Sequence, residues 1–409
     1  MANVGFLPLL AGLCHLFLFV YNRYLLCLRD GPMKQPIHAL WFALTVPLPL
    51  LLLLLYSTNP AVQQVLAWDP RSGNARLLFA VQVILVGFWL ARSSVWLIDR
   101  LWPERPAAIL EETIEHIPMA PVASGLPALL RFLDTTSALE VTHRELAIAG
   151  LSDAFDGFTI AQVSDVHFSA RLDFESYFES VVKTVQGLDP DVVVLTGDFV
   201  ESRRQIRNSL RYHARLRGRL GTFAVMGNHD YWTRPDLIQS EMERHGIRWL
   251  GGGERRVFRR RGRSLVFTGT DRPWTCAGPD WQRLIRRAPG DAVVLLSHTP
   301  DGGPAAARHG ASLILSGHNH GGQYCLPGIG PVVVPSRYGV KFAGGCHRVG
   351  RDSLLNVSRG VGVSGDRGWR MLCAPEICLL TLRAPASEVM VGVVARAQRE
   401  AFGEAVRAG

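Results

Sequence analysis

The chain has 409 residues, 48% hydrophobic and only 19% charged, with a formal net charge of +9. That length implies two or more structural units. The seven cysteines are odd in number and include no Cys-x-x-Cys, which does not read as a disulfide framework. A basic chain often meets nucleic acid, but no platform of interleaved aromatics supports such a partner here.

The apolar content is concentrated at the start. Residues 4–20, 38–56 and 77–98 are each apolar over nearly the ~20 residues needed to cross a bilayer. A signal peptide is the competing reading of the first. It lacks a basic leading region and an Ala-x-Ala site, and further apolar segments follow. The leucine run 50–55 argues against a buried soluble helix for the second, and Pro47 and Pro49 suggest a kink there. We therefore expect about three transmembrane helices over residues 1–106. Arg23, Arg29 and Lys34 outweigh Asp30 in the first loop, which places that loop in the cytoplasm. With three spans the remainder of the chain also lies in the cytoplasm, at the inner (plasma) membrane. A miscounted span would reverse the side.

Residues 107–138 read as a proline-punctuated connector. Glu111, Glu112 and Glu115 are expected on a solvated helix face, and Leu126–Leu133 as a short helix. A catalytic domain is expected over residues 139–384, opening on the alternating ALEVTHRELAIAG. Phe174, Phe178, Val181, Val182 and Val185 have helical spacing. Arg203 to Arg217 suggests a second, basic helix ended by Gly218. The glycine- and arginine-rich stretch 251–263 reads as a hairpin, with a patch for anionic lipid or a substrate phosphate as its alternative. Residues 385–409 read as a tail without visible chemistry.

Within this domain, five motifs follow strand-like runs: SDVH at Ser164–His167, GD at Gly197–Asp198, GNHD at Gly227–Asp230, the lone His298, and GHNH at Gly317–His320. Strand alternating with helix argues a largely parallel sheet, whose strand ends are where α/β sites are built. Asp165, His167, Asp198, Asn228, His298, His318 and His320 offer only oxygen and imidazole nitrogen. That set suits Mn, Fe, Zn or Mg better than a thiolate-preferring ion. Seven ligands exceed the needs of one ion and suit two that share a carboxylate, a pair able to activate a bridging water as hydroxide and to clamp phosphoryl oxygens. Singly, these motifs are ordinary turn sequences; their order and their positions after strands carry the reading.

The ordered set resembles the calcineurin-like metallophosphoesterases. GNHDYW at Gly227–Trp232, GHNHGGQ at Gly317–Gln323, PSRYG at Pro335–Gly339, SRGVGVSG at Ser358–Gly365 and APEICLLTL at Ala374–Leu382 look like the membrane-associated bacterial branch, over about residues 140–384. Asn319 departs from the more usual threonine. The resemblance implies an α/β fold in which two sheets pack as a sandwich flanked by helices. It implies that Asp165, His167, Asp198 and His320 hold one divalent ion and Asp198, Asn228, His298 and His318 the other, with manganese favoured. It implies His229 as the acid that protonates the leaving oxygen, and Asp230 as the residue orienting His229 or its loop. Tyr231, Trp232, Arg337, Tyr338 and Arg370 are candidates to border the substrate pocket.

The expected activity is cleavage of a phosphoester or pyrophosphate bond, with a lipid-linked substrate such as UDP-2,3-diacylglucosamine made attractive by the anchor. A general phosphodiesterase or lipid phosphatase is the nearer rival. A non-catalytic membrane scaffold or sensor is the rival from another class.

Overall fold

The computed structural model describes residues 6–21, 51, 58–60, 83–84, 86–87, 90, 94, 106, 108–119, 128–168, 174–271, 279–288, 290–331, 333–364 and 369–385. The chain divides into two units, Met1–Arg105 with Val332–Lys341 and Pro106–Pro331 with Phe342–Gly409. In the first, Phe6–Val20 forms a 15-residue helix, α1. Among the described residues no helix is long and apolar enough to cross a membrane. The second and third apolar segments lie almost wholly outside the described residues.

The second unit supplies fifteen strands among its described residues. In chain order they are β1 (Ile109–Pro118), β2 (Ala138–Ala147), β3 (Phe158–Val163), β4 (Val192–Leu195), β5 (Thr222–Ala224), β6 (Ile247–Trp249), β7 (Gly252–Arg260), β8 (Arg263–Thr270), β9 (Ala292–Ser297), β10 (Leu313–Ser316), β11 (Cys325–Leu326), β12 (Gly330–Pro331), β13 (Gly345–Arg348), β14 (Leu354–Val357) and β15 (Glu376–Arg383). Seven form one sheet in the order β1-β2-β15-β3-β4-β5-β6, and six form another in the order β13-β14-β10-β9-β8-β7. Runs β3-β4-β5-β6 and β8-β9-β10-β14 are parallel. This is a mixed α/β architecture of two sheets with flanking helices.

Alternation along the central strands explains the layering. Side chains on a strand point to opposite faces. Ile160, Val192, Val194 and Phe223 meet Leu265, Phe267, Val294, Leu296, Leu313 and Leu315 of the other sheet in one core. Their neighbours Ala161, Val163, Val193 and Leu195 face outward and join Phe178, Val181, Val182 and Val185 of helix α2 (Phe174–Leu188) in a second core. Both faces of the first sheet are therefore apolar, which is why its central strands read as continuous runs rather than alternating ones.

Two expectations are corrected. Glu111, Glu112 and Glu115 lie on β1, an edge strand antiparallel to β2, not on a helix, so the sheet begins well before Leu139. The strand is exposed along nearly all its length, and an edge that buries neither face leaves no alternation to read. The basic helix is shorter than Arg203 to Arg217: a 3₁₀ turn at Arg203–Gln205 leads into helix α3, Ile206–His213, which ends before Gly218. The short helix read over Leu126–Leu133 is present in its described residues as a 3₁₀ helix over Ala128–Leu133. The 251–263 hairpin forms as read, with Arg260 opposite Arg263. Its two turn residues, Arg261 and Gly262, have φ of 49° and 73°, the left-handed pair that a two-residue hairpin loop requires.

Helix α3 buries a histidine. The His213 ring packs against Phe178 and Phe199 at centroid distances of 5.0 and 5.1 Å, and its Nδ1 lies 2.8 Å from the Ser209 carbonyl. Burial pushes its pKa down to about 4. Between that value and about 6.5 the unfolded chain holds a proton that the folded chain lacks, so this contribution is complete above about 6.5 and is lost as pH falls toward 4. We expect acidification from pH 7 to pH 5 to remove about 2 kcal/mol at this site. In denaturant titrations of the full chain in detergent, His213→Gln should show a smaller acid loss than wild type. Parallel pH curves for the two would refute this account.

Candidate metal centre

The five motifs converge at the carboxyl ends of β3, β4, β5, β9 and β10. The loops are locked by main-chain bonds: Asp165 N donates to Gly197 O at 2.9 Å, His167 N to Asp198 O at 2.9 Å, and Gly317 N to His298 O at 2.9 Å. Two motif glycines are required by close approach. A Cβ on Gly227 would lie 2.0 Å from Asp198 Oδ1, and one on Gly317 would lie 2.1 Å from Asp165 Oδ2. Asp165, His167, Asp198, His318 and His320 all adopt left-handed φ, between 46° and 71°. Such conformations cost non-glycine residues of order 1–3 kcal/mol each and persist where the surroundings enforce them.

All seven expected ligands come together. Ligand atoms of Asp165, His167 and His320 lie within 4.8 Å of one another, as do those of Asp198, His298 and His318. Asp198 Oδ2 stands between the groups, 3.6 Å from His167 Nε2 and 3.2 Å from His298 Nε2. Asn228 Oδ1 is 3.1 Å from His298 Nε2. Nε2 of His167 and Nε2 of His320 face each other at 2.9 Å. His298 Nδ1 sits 2.6 Å from the Thr196 carbonyl; donating there turns Nε2 toward the expected ion, an arrangement that fixes tautomer and ring orientation in metal sites. Buried oxygen and nitrogen donors converging in two adjoining groups fit divalent cations.

The electrostatics follow from this crowding. Burial alone would raise Asp198, but His298 and His229 hold it well below the usual carboxylate range. Burial raises Asp165. Burial opposes a charge on His298, yet Asp198 outweighs it and pushes His298 up to about 10; ion binding must displace that proton. Burial, with His167 and Arg370 beside it, holds His320 well below the ordinary histidine value.

Glu201, three residues after Asp198, went unread in the sequence. Its Oε1 lies 2.6 Å from His167 Nδ1 and its Oε2 3.3 Å from His229 Nδ1. One carboxylate thus orients an expected ligand and the expected acid together. The His229 proton is favoured by Asp198 and Glu201 against the cost of burial, which pushes its pKa up to about 9. No local pattern marks Glu201, because both rings reach it through the fold. We expect Glu201→Gln to weaken metal binding by about 10–100-fold, the usual cost of losing a carboxylate behind a ligating imidazole. Titration of metal-stripped protein with Mn²⁺ tests this, and unchanged affinity would refute it.

Asp230 accepts from the main-chain N–H groups of Asp198, Phe199 and Gly227 at 2.7, 2.8 and 2.9 Å. It ties the Asp198 and Asn228 loops together from beneath. Asp271 extends the support by accepting from Met226 N at 2.7 Å and Trp249 Nε1 at 2.6 Å. Asn319 points away, donating to the Phe342 carbonyl at 2.7 Å. Arg370 does not border an open pocket. It is fully buried and donates to the carbonyls of Gly362, Arg359 and Gly360 at 2.8, 2.7 and 3.0 Å and to that of His320 at 3.2 Å. Tyr231 and Trp232 are exposed, and the Trp232 ring lies 4.9 Å from that of His229. Arg337 and Tyr338 belong to the other unit.

Residues 158–322 match the calcineurin-like phosphoesterase family, so with the site described this stretch is a calcineurin-like metallophosphoesterase domain and the chain is a metal-dependent phosphoesterase. Among similar proteins, an uncharacterized metallophosphoesterase of Bacillus subtilis, YkuE, is 28% identical over 64% of this chain and 91% of its own length. A Danio rerio transmembrane protein with metallophosphoesterase domain is 25% identical over 63% of this chain and 61% of its own length. The UDP-2,3-diacylglucosamine pyrophosphatase LpxG of Chlamydia trachomatis is 26% identical over 55% of this chain and 83% of its own length.

Proposed function

We propose that this chain is a membrane-anchored di-metal phosphohydrolase that cleaves a phosphoester or pyrophosphate bond of a lipid-linked substrate. The observation carrying the di-metal reading is Asp198 Oδ2, within 3.6 Å of His167 and 3.2 Å of His298. Asp165, His167, Asp198 and His320 would hold one ion, and Asp198, Asn228, His298 and His318 the other. Bound there, two divalent ions supply an activated water and neutralise phosphoryl charge. His229 is the general acid: Glu201 holds its Nδ1 side, which leaves Nε2 to deliver a proton to the leaving oxygen. Asp230 positions the loops and does not touch substrate. Tyr231 and Trp232 offer apolar surface for the rest of the substrate.

Three features support the anchor and the lipid: the apolar segments 4–20, 38–56 and 77–98, the transmembrane naming of the Danio rerio relative, and the glycolipid nucleotide in the name of the Chlamydia relative. The excess of basic residues in the first loop favours a cytoplasmic active site at the inner membrane. The deciding assay uses detergent-purified protein, metal-stripped and then given Mn²⁺, with bis-p-nitrophenyl phosphate beside UDP-2,3-diacylglucosamine. Turnover of the lipid nucleotide far above the diester is the expected result. Turnover of the diester alone would refute the glycolipid substrate and favour a general phosphodiesterase.

A further inference from the structure

Behind the metal centre lie two cysteines that the proposed chemistry does not use. Cys325 starts β11 and Cys373 lies just before β15, and both are buried. Their segments are stitched together: Met371 N donates to Gln323 O and Cys325 N to Met371 O, each at 2.9 Å. Their side chains converge on the same loop. Each donates to the loop that carries His320. Cys373 Sγ lies 3.2 Å from the His320 carbonyl and Cys325 Sγ 3.4 Å from the Gly321 carbonyl. The loop has no slack there, since a Cβ on Gly321 would sit 2.5 Å from Cys373 Sγ. Gly321 itself is left-handed, at φ 66°.

We propose that Cys325 and Cys373 form a redox-modification site, closing reversibly to a disulfide that displaces the His320 loop and weakens metal holding. The inference rests on the metal-ligating role proposed for His320. The oxidant is a small peroxide. It converts one thiol to a sulfenic acid with release of one water, and the second thiol attacks that sulfur, its proton leaving with the hydroxyl as the second water as the S–S bond forms. In total two thiols give up two electrons and two protons, and hydrogen peroxide is reduced to two waters. Arg370 Nη1, 3.9 Å from Cys373 Sγ, steadies the anionic sulfur during the exchange. Closing the bond removes both thiol donors from the His320 and Gly321 carbonyls. The sulfurs must also draw together to disulfide length, about 2.05 Å. With Gly321 packed against Cys373, that movement reaches the ring of His320.

The test treats the full chain in detergent, loaded with Mn²⁺, with hydrogen peroxide, then blocks free thiols and maps peptides by mass spectrometry. The expected result is a Cys325–Cys373 linked peptide that dithiothreitol removes. It should be accompanied by at least a tenfold rise in the dissociation constant for Mn²⁺. Neither Cys325→Ser nor Cys373→Ser should show that rise. Oxidation without the linked peptide would overturn the proposal, as would a linked peptide with unchanged Mn²⁺ affinity. The linkage is read without any activity, so its failure is distinct from failure of the phosphohydrolase reading.

Discussion

Asp198→Asn should abolish tight binding of both ions and lower turnover by at least about 10³-fold. The expectation follows from position. Asp198 is the carboxylate between the two ligand groups, while its Oδ1 accepts the His229 N–H at 2.9 Å. Asparagine keeps the shape and one acceptor, and Asp230 still clamps the main chain of the loop, so the fold should survive. What is lost is the shared negative charge. Stabilisation of transition-state charge by bound ions amounts to several kcal/mol, and about 1.4 kcal/mol is a factor of ten in rate. Metal analysis of purified wild type and variant, with hydrolysis of bis-p-nitrophenyl phosphate, checks both parts. Equal metal content would end the shared-bridge assignment.

His229→Ala should do the opposite with metal. We expect a loss of about 10²–10⁴-fold in kcat, the range for removing a positioned general acid, with both ions retained. His229 falls with His167 and Glu201 in a third group, outside those built on Asp165 and on Asp198. Its ring instead stands against the His167 ring at 4.8 Å and is held through Nδ1 by Glu201. A substrate with a leaving group of low pKa needs less protonation, so the defect should shrink for a p-nitrophenyl ester relative to an alkyl ester. Full activity on both esters would remove His229 from the chemistry. The contrast between the two variants separates metal holding from proton delivery.

The sequence exposed the ligand set because each expected ligand follows a buried parallel strand, while the roles of Asp198 as bridge and His229 as acid came from the family resemblance. A strand apolar on both faces is conspicuous, and polar residues at its end stand out against it. What remained unread depends on contacts between segments distant along the chain. Glu201 is one acidic residue among many until the fold brings His167 and His229 to its two oxygens. Arg370 suggested a pocket cation, yet it is buried among carbonyls supplied by the 359–362 turn and by His320. β1 hid because an exposed edge strand rich in glutamate has no apolar period. Insertion of β15 between β2 and β3, more than two hundred residues apart from it along the chain, leaves no local signature.

The most direct test of the central claim is the number of divalent ions bound per chain, measured with activity across a Mn²⁺ titration of metal-stripped, full-length protein. The account predicts two ions per chain, with phosphodiester hydrolysis appearing as the second ion fills and disappearing on chelation. Saturation at one ion with full turnover, or turnover indifferent to chelation, would contradict it.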